Sequence, residues 1–387
     1  MIQLLQRTPL AWRQAIHRPM RLAAAIAGVS FANLLVFFQL GLSGGLYDSQ
    51  KRPLQRLNGE LVMVSGRYLY LGEQLNFPRA RLSQALGVEG VRNVAPLYVG
   101  LSEWLNRDSR QQKQALIFGI APENPALNIQ EIAADPWLLE RSDSLFFDTR
   151  SKRNAGAVAQ VVRRDGHYDT ELGGMRARVD GLFSMGLTFA ADINLITSAT
   201  NFKNYFPNQS ADDIQIGVIQ LKPGVDPLRV KATLESFLDP SVKVFTIPQI
   251  AQVEVNYWRH NTSFGVIFGL GVLVGLAVGG IIVYQILYSD VSDHLGEYAT
   301  LKAMGYDDGF VVSIIIQESL ILAVLAFWPS LVLSLGLYAF LARATSLAVV
   351  MSVGRAVLVF GFTLAMCGIS GWLATDKLRR LDPAEIF

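Results

Sequence analysis

Long apolar runs alternate with mixed polar stretches along the chain, and the alternation divides it before any motif is considered. Leu22 to Leu42 carries no charged residue. About 20 apolar residues at roughly 1.5 Å rise cross a hydrocarbon core of roughly 30 Å, so this run predicts a membrane-spanning helix over 22–46. It is longer than the apolar core of a cleaved secretory signal, about 7–15 residues, and is expected to stay as an anchor. Phe264 to Tyr288 is again free of charge and predicts a second span over 262–288. Val311 to Leu341 exceeds the length of one crossing, with Trp328-Pro329 placed to kink it. Ala356 to Ala374 completes the set, giving spans over 311–341 and 355–374 with a short loop, 342–354, between them.

Between the first two spans the pattern changes. Tyr47 to Asn261 holds 24 of the 34 Lys and Arg and 23 of the 32 Asp and Glu, the composition of a domain that faces water. Leu61–Leu71 and Gln114–Ile120 read as strands, and Arg79–Leu86 as a short amphipathic helix. Ile214–Leu221 predicts a strand, Lys222-Pro223-Gly224-Val225 a turn, and Asp226 a helix cap. The helix would run through Leu238, with a returning strand at Val242–Ile247. The expected fold is an α-helical membrane protein with four transmembrane helices, arranged one plus three, and a large α+β domain over 47–261.

Charge orients this arrangement. Arg7, Arg13, Arg18 and Arg21 are interleaved with Leu10, Trp12 and Ile16 in 1–21, which reads either as an amphipathic helix on the cytoplasmic membrane face or as a basic flank. The tail, 375–387, carries Lys377, Arg379 and Arg380. Basic residues mark the inner side, so both termini are expected in the cytoplasm, 47–261 outside and 289–310 inside. The chain is 51% hydrophobic and 17% charged, against about 25% charged in soluble domains. A net charge of +2 gives no electrostatic reason for a nucleic-acid partner.

Chemistry is sparse. G-x-x-x-x-G-K-[ST] does not occur, and the string Gly41-Leu42-Ser43-Gly44-Gly45 fits G-x-S-x-G but lies within the first predicted span instead of at a strand-to-helix turn. His17, His167, His260 and His294 fall in separate segments with no cysteine beside them. No catalytic residue, metal site or cofactor is expected, and the single Cys367 excludes an intramolecular disulfide. Gly265, Gly269, Gly271, Gly275 and Gly279 in the second span predict a face of close helix approach and a candidate dimer seam. Glu318, an ionisable group near the inner end of the third span, is expected to face protein or water.

The polar segment Ser289–Phe310 remains. A helix from Val291 to Met304, stopped by Gly305, would display Leu295, Tyr298, Leu301 and Lys302 on one face, against a partner's groove or the membrane surface. Val291-Ser292, Glu297 and Leu301-Lys302-Ala303-Met304-Gly305 resemble the loop after the second span in FtsX-like permeases, whose members include MacB-type exporters. Asp382-Pro383-Ala384-Glu385 resembles that family's usual ending. The run Glu297–Tyr306, and Phe146-Phe147-Asp148 with Ser151, are similar to the DevC branch of cyanobacterial permeases. His294 and Gly296 depart from the pattern, since many relatives place an arginine near the first position.

The resemblance implies a coupling helix docked on a separate ABC ATPase, which would bind and hydrolyse the ATP. Its contact set is Val291, His294, Leu295, Glu297, Tyr298, Leu301, Lys302, Met304 and Gly305. It implies a homodimer in the bacterial inner membrane and a MacB-like periplasmic domain, porter-like near 214–247. That domain would meet a membrane-fusion adaptor and an outer-membrane channel, and mechanical transmission would expel a (glyco)lipid or another amphiphile. The alternative is an FtsX-type regulator that passes ATPase motion to a cell-wall hydrolase.

Overall fold

The computed structural model describes residues 19–375 except 74, 187, 189, 211 and 346–348. The basic segment up to Arg18 and the ending Asp382–Glu385 lie outside the described residues, as does the Lys302 side chain. The chain divides into a unit built on the long apolar helices and a unit spanning Gly45–Ser263. In chain order the helices are α1 (Pro19–Gln55), α2 (Arg79–Gln84), α3 (Gln130–Ala134), α4 (Val158–Asp165), α5 (Ala199–Tyr205), α6 (Pro227–Phe237), α7 (Ile247–His260), α8 (Ser263–Asp293), α9 (Leu295–Ala303), α10 (Asp308–Thr345) and α11 (Val353–Ala374). The strands are β1 (Leu61–Ser65), β2 (Phe77–Pro78), β3 (Val91–Leu105), β4 (Gln112–Ile120), β5 (Ser144–Asp148), β6 (Tyr168–Leu172), β7 (Met175–Phe183), β8 (Ile193–Ser198), β9 (Asp213–Ile214), β10 (Ile216–Leu221) and β11 (Val242–Thr246).

In the Gly45–Ser263 unit, nine strands form one mixed sheet in the order β11-β1-β10-β3-β4-β8-β5-β7-β6, and β2 pairs with β9. The long β3 belongs to two halves. Val91 to Leu97 pairs with β10, and Leu97 to Leu105 pairs with β4. The pairing Trp104↔Leu172 brings β6 back onto β3, which closes the second half on itself and covers its edge. In the first half β10 and β11 both lie antiparallel to β1, so the strand returning from α6 lands one place over, with β1 between. Asp226 Oδ1 accepts the Leu228 N–H at 3.0 Å and caps α6 as the sequence predicts. The strand expected over Leu61–Leu71 ends at Ser65. There the Gly66 N–H donates to the Ser241 carbonyl at 2.7 Å, and a Cβ on Gly66 would lie 2.6 Å from the Pro240 carbonyl oxygen.

Both faces of the sheet are buried, so its strands read as near-continuous apolar runs. Leu61, Met63, Trp104 and Ile117 face one core, covered by α2, α4, α5 and α6; Val62, Val64, Leu97 and Phe118 face the other, covered by the end of α1, α3 and α7. Asp148 closes a turn in this unit. Fully buried, it accepts the backbone N–H groups of Arg150 (3.0 Å), Met185 (3.2 Å) and Gly186 (2.8 Å) and the Asn194 side-chain amide (3.1 Å). Ser151 Oγ lies 3.4 Å from the Asn194 N–H. The Phe-Phe-Asp-x-x-Ser motif is therefore a tie between β5, β8 and the segment after β7.

In the helical unit, α1, α8, α10 and α11 are each long and apolar enough to cross a bilayer. Polar side chains bind them to one another. Ser30 Oγ donates to the Ala326 carbonyl at 2.9 Å, while Asn33 donates to Ser330 Oγ at 3.4 Å and accepts from Thr363 Oγ1 at 2.8 Å. Each such bond contributes about 0.6 kcal/mol in lipid. α10 continues through Pro329 without a break.

The glycines of the second span find their neighbours inside the chain, which corrects the dimer-seam expectation for three of them. A Cβ on Gly271 would meet Gln39, one on Gly275 would lie 3.1 Å from Val36, and one on Gly279 would lie 2.6 Å from Ala32 and 2.5 Å from Met366. Small residues let α1 and α11 approach α8 closely, and that need is met without a second copy. Gly269 has open space around its Cβ position. Gly279→Leu should therefore destabilise the helical unit by about 1–3 kcal/mol, while Gly269→Leu stays near wild type. Thermal aggregation of the detergent-solubilised variants measures the difference.

Candidate coupling helix

α8 carries the chain out of the second span and stops at Asp293. His294 interrupts the helix, with its Nδ1 3.0 Å from the Asp290 carbonyl oxygen and 3.7 Å from Asp290 Oδ1. α9 follows from Leu295 to Ala303 and ends before Gly305, whose φ of 94° lies in the left-handed region that terminates helices. The single helix expected over Val291–Met304 is thus two helices with a joint at His294.

The joint sets which way α9 faces. Tyr298, 1% exposed, packs in a cluster with Val291, Val311 and Ile315, and Leu295, Leu301 and Phe310 pack against that cluster. The apolar face predicted to fill a partner's groove is turned onto α8 and α10 instead. An amphipathic helix buries its apolar stripe wherever the nearest apolar surface lies, and here that surface is the chain's own.

The opposite face is open. Gly296, Glu297, Thr300 and Met304 are exposed, followed by Gly305, Tyr306 and Asp307. Glu297, Thr300 and Met304 stand at helical spacings of three and four and form one stripe. Met304 is 63% exposed, and Tyr306, 45% exposed, stacks on Phe310 at 4.6 Å. Thr300 Oγ1 donates to the Gly296 carbonyl at 2.8 Å, which leaves its methyl on the stripe. An exposed ion pair joins Arg21 at the start of α1 to Asp293, a contact of small energy in water.

Glu318 is half-buried on α10, with Asp290 as its charged neighbour. Among the described residues no group of three or more His, Cys, Asp or Glu is arranged to hold a metal. A groove of about 940 Å³ runs between α8 and α11, lined by Leu276, Gly280, Tyr284, Met366, Ile369 and Trp372 among others. The inward set Val311, Ile315 and Phe310 escapes a reading of the loop alone. Its signal is the apolar period at the start of α10, which matches that of α9.

Four apolar helices, with a large mixed α-β domain between the first and second, define a multi-pass membrane protein. Residues 266–383 match the FtsX-like permease C-terminal family. The chain is similar over 94% of its length to the macrolide export ATP-binding/permease protein MacB of Bdellovibrio bacteriovorus, at 19% identity over 397 residues, and spans 59% of that protein. The chain is thus similar to FtsX-like permeases over residues 266–383 and, at low identity, to MacB over most of its length. In shape, 51% of the chain is similar to 94% of the periplasmic region of MacB from Actinobacillus actinomycetemcomitans, with a TM-score of 0.34 and 11% identity. Likewise 48% is similar to 98% of the extracellular domain of the noncanonic ABC-type transporter YknZ from Gram-positive bacteria, with a TM-score of 0.32 and 13% identity.

Proposed function

We propose that this chain is the permease subunit of a tripartite ABC exporter, coupling a separate ABC ATPase to the domain between its first two spans. Both termini and α9 lie in the cytoplasm and the Gly45–Ser263 unit lies outside. The observation that carries the reading is the exposed stripe Glu297, Thr300, Met304 on a short helix whose other face is seated on α8 and α10. A helix held rigidly on its inner side and open on its outer side can receive a push and pass it to the two spans it is packed on. The similarity of residues 266–383 to FtsX-like permeases supports the kind of partner, and residues 1–387 contain no G-x-x-x-x-G-K-[ST] sequence.

The proposed cargo is a glycolipid or another amphiphile, handed to a membrane-fusion adaptor and an outer-membrane channel by a permease dimer. Affinity purification from the native membrane tests this directly. An ABC ATPase and an adaptor are expected to come with the chain, and the purified chain alone is expected to hydrolyse no ATP. Recovery of a cell-wall hydrolase in place of the adaptor would replace export with regulation.

A further inference from the structure

Glu254 lies on α7 among Ile250, Ala251, Val255 and Trp258, the helix's buried face, and is 1% exposed. The spacing puts a carboxyl where an amphipathic pattern places an apolar group. Both of its oxygens are engaged. Oε2 accepts the Tyr68 hydroxyl and the Leu71 backbone N–H, each at 3.0 Å, and Oε1 accepts the Trp258 indole N–H at 3.1 Å. Two of these three donors come from the 66–73 segment that follows β1. Tyr70 of the same segment stacks on Tyr257 at 4.4 Å and meets Trp258 edge-on at 5.8 Å. The carboxyl is thus the centre of an aromatic clasp that fastens the segment to α7.

The titratable groups around the clasp are Tyr68, Tyr70 and Glu73 from the segment and Tyr257 from α7, and this set holds no cation. Burial therefore outweighs the three donors and pushes the Glu254 carboxyl up to about 7. The same burial, with Glu254 beside it, raises the Tyr68 hydroxyl well above its ordinary value, so it stays a donor.

We propose that Glu254 and its clasp form a proton-controlled latch, which holds the 66–73 segment on α7 in acid and releases it as the medium approaches neutrality. The direction follows from linkage. Closed, the carboxyl titrates near 7; opened into water it titrates near about 4.3. The closed state binds the proton more tightly, so protons favour closure. Between those two values the opening equilibrium rises about tenfold per pH unit, and it is flat above and below them. α7 is the last element before α8, so the latch sets how firmly this final helix of the domain is held.

Hydrogen–deuterium exchange of peptides covering 66–73 in the full-length chain in lipid nanodiscs tests the latch. After correction for the intrinsic rate, exchange should rise on the order of a hundredfold from pH 5 to pH 7. Glu254→Gln removes the titrating group, so exchange of 66–73 in that variant should not change with pH beyond the intrinsic rate. If that variant fails to fold, Tyr68→Phe removes a donor to the ionised carboxyl and should move the transition to higher pH. Protection of 66–73 that is independent of pH in the wild type overturns the latch, as does a pH dependence unchanged in the folded variant.

Discussion

Met304→Glu should lower the stimulation of the partner ATPase by at least about tenfold while leaving the chain folded. Met304 is 63% exposed at the end of the α9 stripe, so the folded chain loses no packing when it changes. Exposed substitutions of this kind usually change stability by no more than about 0.5 kcal/mol. On a docked partner the same position would be desolvated, and truncating or charging an interface anchor costs about 2 kcal/mol or more, roughly thirtyfold in affinity. Tyr298→Ala supplies the contrast. Tyr298 is buried against Val291, Val311 and Ile315, and emptying an aromatic site costs about 3–5 kcal/mol of packing. That variant should melt earlier whether or not a partner is present. ATPase stimulation in proteoliposomes, measured beside the melting temperature of each variant, separates the two effects. A Met304→Glu chain that couples normally would remove the stripe from the docking surface.

The second large effect is on the sheet. Asp148→Ala removes the acceptor of three backbone N–H groups and of one Asn194 side-chain N–H, the amide keeping its bond to the Gly186 carbonyl. A buried donor left without a partner costs about 1–3 kcal/mol, and neighbouring losses do not add fully, so a loss of about 3 kcal/mol or more is expected. For a unit of this size that corresponds to roughly 6–12 °C in melting temperature. Asp148→Asn keeps one acceptor oxygen and should lose less. Thermal unfolding followed by intrinsic fluorescence checks both variants, and an Asp148→Ala chain that melts within a degree or two of wild type would contradict the role given to this carboxylate.

Elements bounded by local chemistry were legible in the sequence. Four long apolar runs became α1, α8, α10 and α11, and the turn Lys222–Val225 with its Asp226 cap stands where the pattern puts it. Among the strands, Gln114–Ile120, Ile214–Leu221 and Val242–Ile247 were legible as β4, β10 and β11, whereas β3 and β5 to β8 were not. β3 contains Pro96, which argues against a strand interior, yet Pro96 falls just before pairing with β4 begins at Leu97, so that ladder does not use its missing N–H. Asp148 is visible as a motif residue, but its acceptor role depends on Met185, Gly186 and Asn194, some 40 positions away.

The candidate site divides along the same line. An apolar stripe at helical spacing says that one face of α9 is buried, without saying against what. Leu295, Tyr298 and Leu301 proved to face the chain itself, and the exposed set is the one around Glu297, Thr300 and Met304. The second-span glycines repeat the lesson. Their spacing announces close approach, and only the positions of Ala32, Val36, Gln39 and Met366 reveal that the approach is internal. Glu254, by contrast, was open to detection, because a carboxylate in step with Ile250 and Trp258 breaks an otherwise apolar face.

The most direct test of coupling through α9 is photo-crosslinking in native membranes, with a photoreactive amino acid placed in turn at positions 297, 298, 300 and 304. Adducts with an ABC ATPase are expected from 297, 300 and 304, and none from the buried position 298. An ATPase that co-purifies with the chain but forms no adduct at the three exposed positions would show that it docks elsewhere and contradict the role assigned to α9.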